Sequence, residues 1–222
     1  MSKIILDFGS GNTCRNDKTY IKRMYDELKA VDRGNHNIVV KWQLFEQAGE
    51  NIPLTHECFQ YAYKYGRSIG YQVTSSIFDK PSLDFLLTFK VPFIKIANNR
   101  KLDRLIGEIP RKIPIYLSCG TSEDVASYYA AMQLGEECGE VLLCVSQYPA
   151  SMEEYEKTFP EYFSTDVYND SIVDNVSDHT ANFDLWYRYQ PEIIEWHYKL
   201  SDSTGLDAGM FARMPEQLAE IL

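Results

Sequence analysis

Eight short β-rich runs alternate with helix-like stretches along this chain, and that alternation constrains its fold more than any other feature. The runs are Lys3–Phe8, Asn37–Gln43, Gly70–Ser75, Phe93–Ala97, Ile113–Ser118, Glu140–Val145, Ser171–Val176 and Glu192–Trp196, starting roughly 20 to 35 residues apart. Between them, Asp17–Ala30 carries Tyr20, Ile21, Met24, Tyr25 and Leu28 at helical spacing. Thr55–Ser68, Ser82–Phe89, Asp103–Ile109, Ser122–Gly135 and Met152–Tyr162 follow the same logic. Thr55 with Glu57, and Ser122 with Glu123 and Asp124, place caps and acids where a helix N-terminus favours them. Strand alternating with helix predicts a parallel sheet, and eight units predict an α/β fold closed into a (β/α)8 TIM barrel. An open doubly wound sheet is disfavoured, because no GxGxxG or Walker loop occurs. Asp7-Phe8-Gly9-Ser10-Gly11-Asn12 holds glycines, but the expected helix follows too late. The chain has 222 residues and no linker, repeat or low-complexity tract, so residues 1–222 read as a single barrel domain, short for its kind.

Charge and cysteine usage narrow the function. A net charge of −10 argues against a nucleic-acid surface, which needs clustered Lys and Arg. No apolar run approaches the roughly 18 residues that span a bilayer, so no membrane partner is expected. Met1-Ser2-Lys3-Ile4-Ile5-Leu6-Asp7 enters a strand directly and does not read as a signal peptide. Cys14, Cys58, Cys119, Cys138 and Cys144 are scattered, with no CxxC pair. Reduced thiols and a cytoplasmic location are the expectation.

A barrel of this type concentrates chemistry at the C-terminal ends of its strands. Polar residues gather there in every unit: Asp7; Lys41 and Gln43; Thr74, Ser75 and Ser76; Lys95 and Asn98; Ser118; Ser146 and Tyr148; Ser177, Asp178 and His179; and His197. The segments Ser177-Asp178-His179-Thr180 and Ile194-Glu195-Trp196-His197 each read as a strand tail followed by a polar cluster with one histidine. The histidines lie 18 residues apart, about one strand–helix–strand unit, and two imidazoles on neighbouring parallel strands can share a divalent cation. Lysines beside hydroxyls suit a phosphorylated anion. Each residue alone has a plainer reading as a helix cap, a surface ion pair or a satisfied core histidine. Isolated capping does not predict eight polar strand ends together.

The motifs also resemble those of the sialic acid (N-acetylneuraminate) synthase family, barrel domain only. Val40-Lys41-Trp42-Gln43 resembles VKFQ, and Thr74-Ser75-Ser76-Ile77-Phe78-Asp79 resembles (L/I)STPFD. Ile94-Lys95-Ile96-Ala97 resembles KIAS, and Leu117-Ser118-Cys119-Gly120-Thr121 resembles LSTGM. Tyr148-Pro149-Ala150 resembles YPAP, Val176-Ser177-Asp178-His179-Thr180 resembles GLSDHT, and Ile194-Glu195-Trp196-His197-Tyr198 resembles IEKHF. Gly205-Leu206-Asp207 and Met214-Pro215-Glu216-Gln217-Leu218 continue the order as GPD and the PEEL helix.

The resemblance implies condensation of phosphoenolpyruvate with N-acetylmannosamine or a related sugar aldehyde, assisted by Mn2+ or Mg2+, in a homodimer. It implies His179 and His197 as metal ligands, with Asp7 where the family has a longer, water-positioning glutamate. Lys41, Ser76, Lys95, Ser118, Ser146 and Ser177 match positions that hold phosphoenolpyruvate, and Gln43, Tyr148 and Asp207 match the sugar side. Asp7, Lys41 and Lys95 are the implied catalytic residues. The chain departs from the pattern after Lys95, where Asn98-Asn99-Arg100 replaces SGE or SGD, and it lacks the family's C-terminal antifreeze-like domain, which in relatives lends an arginine to the sugar. Either Arg100 or another chain compensates, or the sugar differs, or the activity is lost. Two alternatives stand beside this reading: a degenerate barrel that binds a sugar or phosphate without turnover, and an aldolase using Lys95 as a Schiff-base amine.

Overall fold

The computed structural model describes residues 1–47, 49–133, 139–163 and 173–222. Eight strands pair in parallel in sequence order: β1 (Lys3–Asp7), β2 (Asn37–Leu44), β3 (Gln72–Ile77), β4 (Ile94–Ile96), β5 (Ile115–Cys119), β6 (Gly139–Cys144), β7 (Asn175–Asp178) and β8 (Ile193–His197). β8 returns to pair with β1 and closes the cylinder, so the fold is a (β/α)8 barrel. Helices α1 (Gly11–Cys14), α2 (Lys18–Val31), α3 (His56–Ser68), α4 (Lys80–Leu86), α5 (Asp103–Ile106), α6 (Ser122–Gln133), α7 (Met152–Thr158), α8 (Asp184–Tyr189) and α9 (Pro215–Leu218) fill the connections.

Strand residues alternate between faces, and here the alternation separates two cores. Outward-facing Leu6, Val40, Trp42, Val73, Ile94, Val176 and Trp196 pack under the helices. α2 buries Tyr20, Ile21, Met24, Tyr25 and Leu28 against that layer. Inside the barrel, Ile5, Val39, Phe93, Tyr116, Leu142 and Ile193 form a separate apolar plug. Phe93 and Tyr116 stack within it, 3.9 Å between ring centroids. Two residues further along the same strands, the inward face becomes polar: Ile5 gives way to Asp7, Val39 to Lys41, Phe93 to Lys95, Tyr116 to Ser118 and Ile193 to Glu195. The period of two thus stacks a polar layer directly on an apolar floor.

Helix starts follow local chemistry. The Asp17 carboxylate accepts from Thr19 N, Thr55 Oγ1 from Cys58 N, and Asp79 from Ser82 N. Ser151 and Glu154 make a reciprocal capping box on α7. Each such cap is worth about 1 kcal/mol.

Several boundaries differ from those expected. β7 starts at Asn175, not Ser171, and includes Ser177 and Asp178 as strand residues. Ser171 and Ile172 lie outside the described residues, as do Leu134 and Gly135 of the expected sixth helix. β8 likewise extends through His197. Pairing decides these ends: Ser177 lies opposite Glu195, and His197 opposite Asp7. β-propensity in the Ser171–Val176 run carries no such information. Helix α1 follows the first glycine loop at once, earlier than expected. Among the described residues no helix is long and apolar enough to cross a membrane. Cys14, Cys58, Cys119 and Cys144 are free and buried, and Cys138 lies outside the described residues.

Candidate active site

A cavity of about 610 Å3 opens at the C-terminal end of the barrel. Asp7, Lys41, Gln43, Ser76, Lys95, Ser118, Ser146, Tyr148, Ser177, His179, His197 and Asp207 all line it. Their convergence follows from register. Asp7 is the Cα partner of Lys41 on one side and of His197 on the other. Gln43 faces Ser76, and Ser76 in turn faces Lys95.

One half of the cavity is built around two ammonium groups. Lys41 Nζ donates to Asp7 Oδ2 at 2.6 Å and to Ser76 Oγ at 2.7 Å. Lys95 Nζ donates to Ser118 Oγ at 2.5 Å. Glu195 lies between them, 3.3 Å from Lys41 and 3.4 Å from Lys95. All three charged side chains are buried. Burial alone would raise the Glu195 carboxyl, but the two lysine charges outweigh it and hold it below its usual range. Burial would discharge Lys41, yet Asp7 and Glu195 push it above the ordinary lysine value. At the rim, Asn98 Nδ2 donates to Ser146 Oγ at 2.9 Å.

The other half gathers cation donors. Gln43 Nε2 donates to Asp7 Oδ2 and to Asp207 Oδ1, each at 2.9 Å. His197 Nδ1 is 3.4 Å from Asp207 Oδ1 and 3.7 Å from Asp7 Oδ2. Gly9, at φ 74°, turns its N–H back onto Asp7 Oδ1. Burial favours the neutral form of Asp7, but the Lys41 charge, with His197 and the hydrogen bonds from Lys41 and Gln43, holds it at about 2. Asp207 goes the other way: burial and the neighbouring Asp7 charge push it to about 6. Burial also lowers His197, against the pull of Asp7.

His179 sits beside this cluster, its ring centroid 5.5 Å from that of His197. The Val145 carbonyl, 2.7 Å from His179 Nδ1, can only accept, so Nδ1 carries the proton and Nε2 is left with a lone pair near Ser177 Oγ at 3.3 Å. Burial, then the His197 charge, lowers His179 to about 4. Tyr148 lies over the His179 ring at 4.2 Å, and Phe211 meets the His197 ring edge-on at 4.9 Å.

These residues fit a divalent cation. Asp7, His197 and Asp207 offer ligand atoms all within 4.8 Å of one another. His197 Nδ1 and Asp207 Oδ2 are buried with no hydrogen-bond partner, as expected of groups whose partner is an ion. The tightest donor set among the described residues therefore joins His197 to two carboxylates, with His179 as a neighbour.

Sequence reasoning assigned no role to Glu195, Cys144 or Phe211, which also line the cavity, and Asn98, counted among the polar strand ends, lines it too. Glu195 was detectable, since it is two residues before His197 on β8 and so shares its inward face. Arg100 does not line the cavity. It is exposed and pairs with Asp103 at 3.0 Å and with Asp124, over the Tyr128 ring. The alternative in which Arg100 compensates on the sugar side is thereby corrected: two nearby half-buried carboxylates hold it.

The NeuB family model matches residues 18–222. The chain belongs to the NeuB family. The motif resemblance to sialic acid synthases agrees with that membership. No curated protein sequence matches the chain. Among solved structures, a Leptospira borgpetersenii N-acetylneuraminic acid (sialic acid) synthetase in complex with citrate is similar at 21% identity and TM-score 0.76, covering 98% of this chain and 80% of that one. A putative spore coat polysaccharide biosynthesis protein E from Chromobacterium violaceum is similar at 17% identity and TM-score 0.77, covering 99% and 72%. Spore coat polysaccharide biosynthesis protein spsE from Bacillus subtilis is similar at 19% identity and TM-score 0.70, covering 99% and 65%. These likenesses extend the barrel fold of this NeuB-family chain to three further proteins.

Proposed function

We propose that this NeuB-family chain condenses phosphoenolpyruvate with N-acetylmannosamine or a related hexosamine aldehyde, giving a nonulosonic sugar and inorganic phosphate. Family membership supports a synthase role in sialic-acid-type sugar biosynthesis. The observation that carries the reading is the division of one cavity into a lysine–hydroxyl half and a carboxylate–imidazole half.

In this reading Lys41 and Lys95, with the hydroxyls of Ser76, Ser118, Ser146 and Ser177, hold the phosphate and carboxylate of phosphoenolpyruvate. Gln43 and Tyr148 orient the sugar. C3 of the enol attacks the aldehyde carbon and forms the new C–C bond. Water adds at C2, guided by Asp7. The C2–O bond to phosphate then breaks as the keto group forms. The water gives up a proton and the aldehyde oxygen gains one. Solvent at the cavity mouth supplies it, since Asp207 Oδ2 is taken by the cation in this reading. Mn2+ or Mg2+ held by His197, Asp7 and Asp207, with His179 adjacent, would supply Lewis-acid polarisation of the aldehyde. A homodimer and a cytoplasmic setting belong to the same reading, as does a single barrel domain for the chain. Sedimentation velocity tests the assembly.

The direct test is phosphate release from purified protein with Mn2+, phosphoenolpyruvate and N-acetylmannosamine, abolished in His197→Ala. A panel of hexosamine aldehydes that all fail to release phosphate rejects it. The second reading, binding without turnover, is favoured by the engagement of Arg100 at the surface, which leaves the sugar side without that cation. Calorimetric binding of phosphoenolpyruvate without phosphate release would select it. Borohydride trapping with pyruvate would instead expose a Lys95 Schiff base.

A further inference from the structure

Asp178 and Arg213 form a buried ion pair outside the cavity, between the two segments that carry its histidines. Arg213 Nη2 is 3.1 Å from Asp178 Oδ2, and both side chains are almost fully buried. The alternation of β7 and β8 explains the placement. Ser177 and His179, and Glu195 and His197, line the barrel interior, whereas Asp178 and Trp196 between them point outward.

Both oxygens of the Asp178 carboxylate are fully used. Oδ1 accepts from Thr180 N at 2.8 Å and Thr180 Oγ1 at 2.7 Å. Oδ2 accepts from Trp196 Nε1 at 2.7 Å and from Arg213. Arg213 donates further to Thr180 O at 2.9 Å and to Asn182 O, and its guanidinium lies over the Phe183 ring. Its backbone N–H donates to His197 O at 2.7 Å. The residue after β7 is also tied to the loop after β6, where Ala150 N donates to His179 O at 2.9 Å. The Asp178 carboxylate and the Arg213 guanidinium thus fix the backbone just after His179, at Thr180 and Asn182, while the Arg213 backbone N–H holds the carbonyl of His197.

We propose that Asp178 and Arg213 are a positioning pair that sets the separation and orientation of His179 and His197, and through them the affinity of the site for a divalent cation. The proposal rests on the reading of His197, Asp7 and Asp207 as cation donors. An ion pair in this location is costly to desolvate and is weak evidence of stability as such. Its geometric effect is specific: neither residue touches the cavity, yet each is one bond network removed from an imidazole. Groups hydrogen-bonded directly to a metal ligand typically change metal affinity 10- to 100-fold when removed, and this pair, acting through the backbone, falls at the lower end of that range.

The test measures Mn2+ binding to the full chain by the electron paramagnetic resonance signal of free Mn2+, with circular dichroism as the folding check. Arg213→Met is expected to raise the Mn2+ dissociation constant about tenfold, and Arg213→Lys to restore part of the loss. Trp196→Phe removes a single donor to Asp178 and is expected to weaken binding in the same direction. Ile21→Ala, a core truncation in α2, lowers the melting temperature but leaves Mn2+ affinity unchanged. Should Arg213→Met fail to fold, Trp196→Phe decides. Wild-type affinity in the folded variants overturns the positioning role. Absence of Mn2+ binding by the wild-type protein is a separate outcome that removes the cation reading and this inference with it.

Discussion

The Lys41 ammonium lies 2.6 Å from the Asp7 carboxylate, across one rung of the β1–β2 ladder. The pair is buried, so each member holds the other in its charged state at neutral pH. It also joins the two halves of the cavity, because Lys41 faces the anion side and Asp7 the cation side.

Glu195→Gln should expose the role of the carboxylate between the lysines. Removing one partner of a buried ion pair costs about 3–5 kcal/mol. The ligand-free variant should therefore melt well below wild type. Inorganic phosphate or phosphoenolpyruvate should recover much of the difference, since an anion replaces the lost charge. Calorimetry with and without anion checks this, and a deficit unaffected by either anion counts against the lysine–hydroxyl half as an anion site.

Acid should destabilise the metal-free protein through His179. Its folded value of about 4 lies below its ordinary value, so the unfolded chain binds the proton more tightly. The contribution is present above about pH 6.5 and is lost as pH falls through about 4. A shift of this size corresponds to about 3 kcal/mol. Urea unfolding in EDTA between pH 7 and 4 should show the loss, and His179→Gln should flatten that part of the curve.

Metal should stabilise the fold. At a hundred times its dissociation constant, a ligand that binds only the native state adds about 2.7 kcal/mol. Mn2+ should raise the melting temperature of wild type, EDTA should reverse the gain, and Asp207→Ala should abolish the response. An equal upshift in Asp207→Ala would remove that carboxylate from the donor set.

Gly120→Ala should impair the anion side with little effect on stability. A Cβ there would overlap the Asn98 amide, which must then leave Ser146. The variant should raise the KM for phosphoenolpyruvate severalfold while its melting temperature stays within about 2 °C of wild type, a shift below that of 1 kcal/mol in a domain of this size.

The barrel was legible because its evidence is local and repeated. Apolar runs such as Lys3–Phe8 and Asn37–Gln43, separated by amphipathic helices such as the one bearing Tyr20, Met24 and Leu28, carry their own periodicity. The polar strand ends were legible for the same reason. Strand limits were not: Ser177, Asp178 and His197 join the ladder because of what lies opposite them. The engagement of Arg100 was only partly legible: Asp103 lies three residues on, but Asp124 comes within reach only once α6 is placed.

Sequence alone determined the strand–helix order, the family motifs and the residue types available at the barrel mouth, since these depend on short-range spacing. Tertiary structure decided which charges meet: Glu195 between Lys41 and Lys95, Asp207 with Asp7 and His197, and Asp178 with Arg213. Closing eight strands into a cylinder brings together groups up to 200 residues apart, and Coulombic interaction depends on distance in space rather than along the chain.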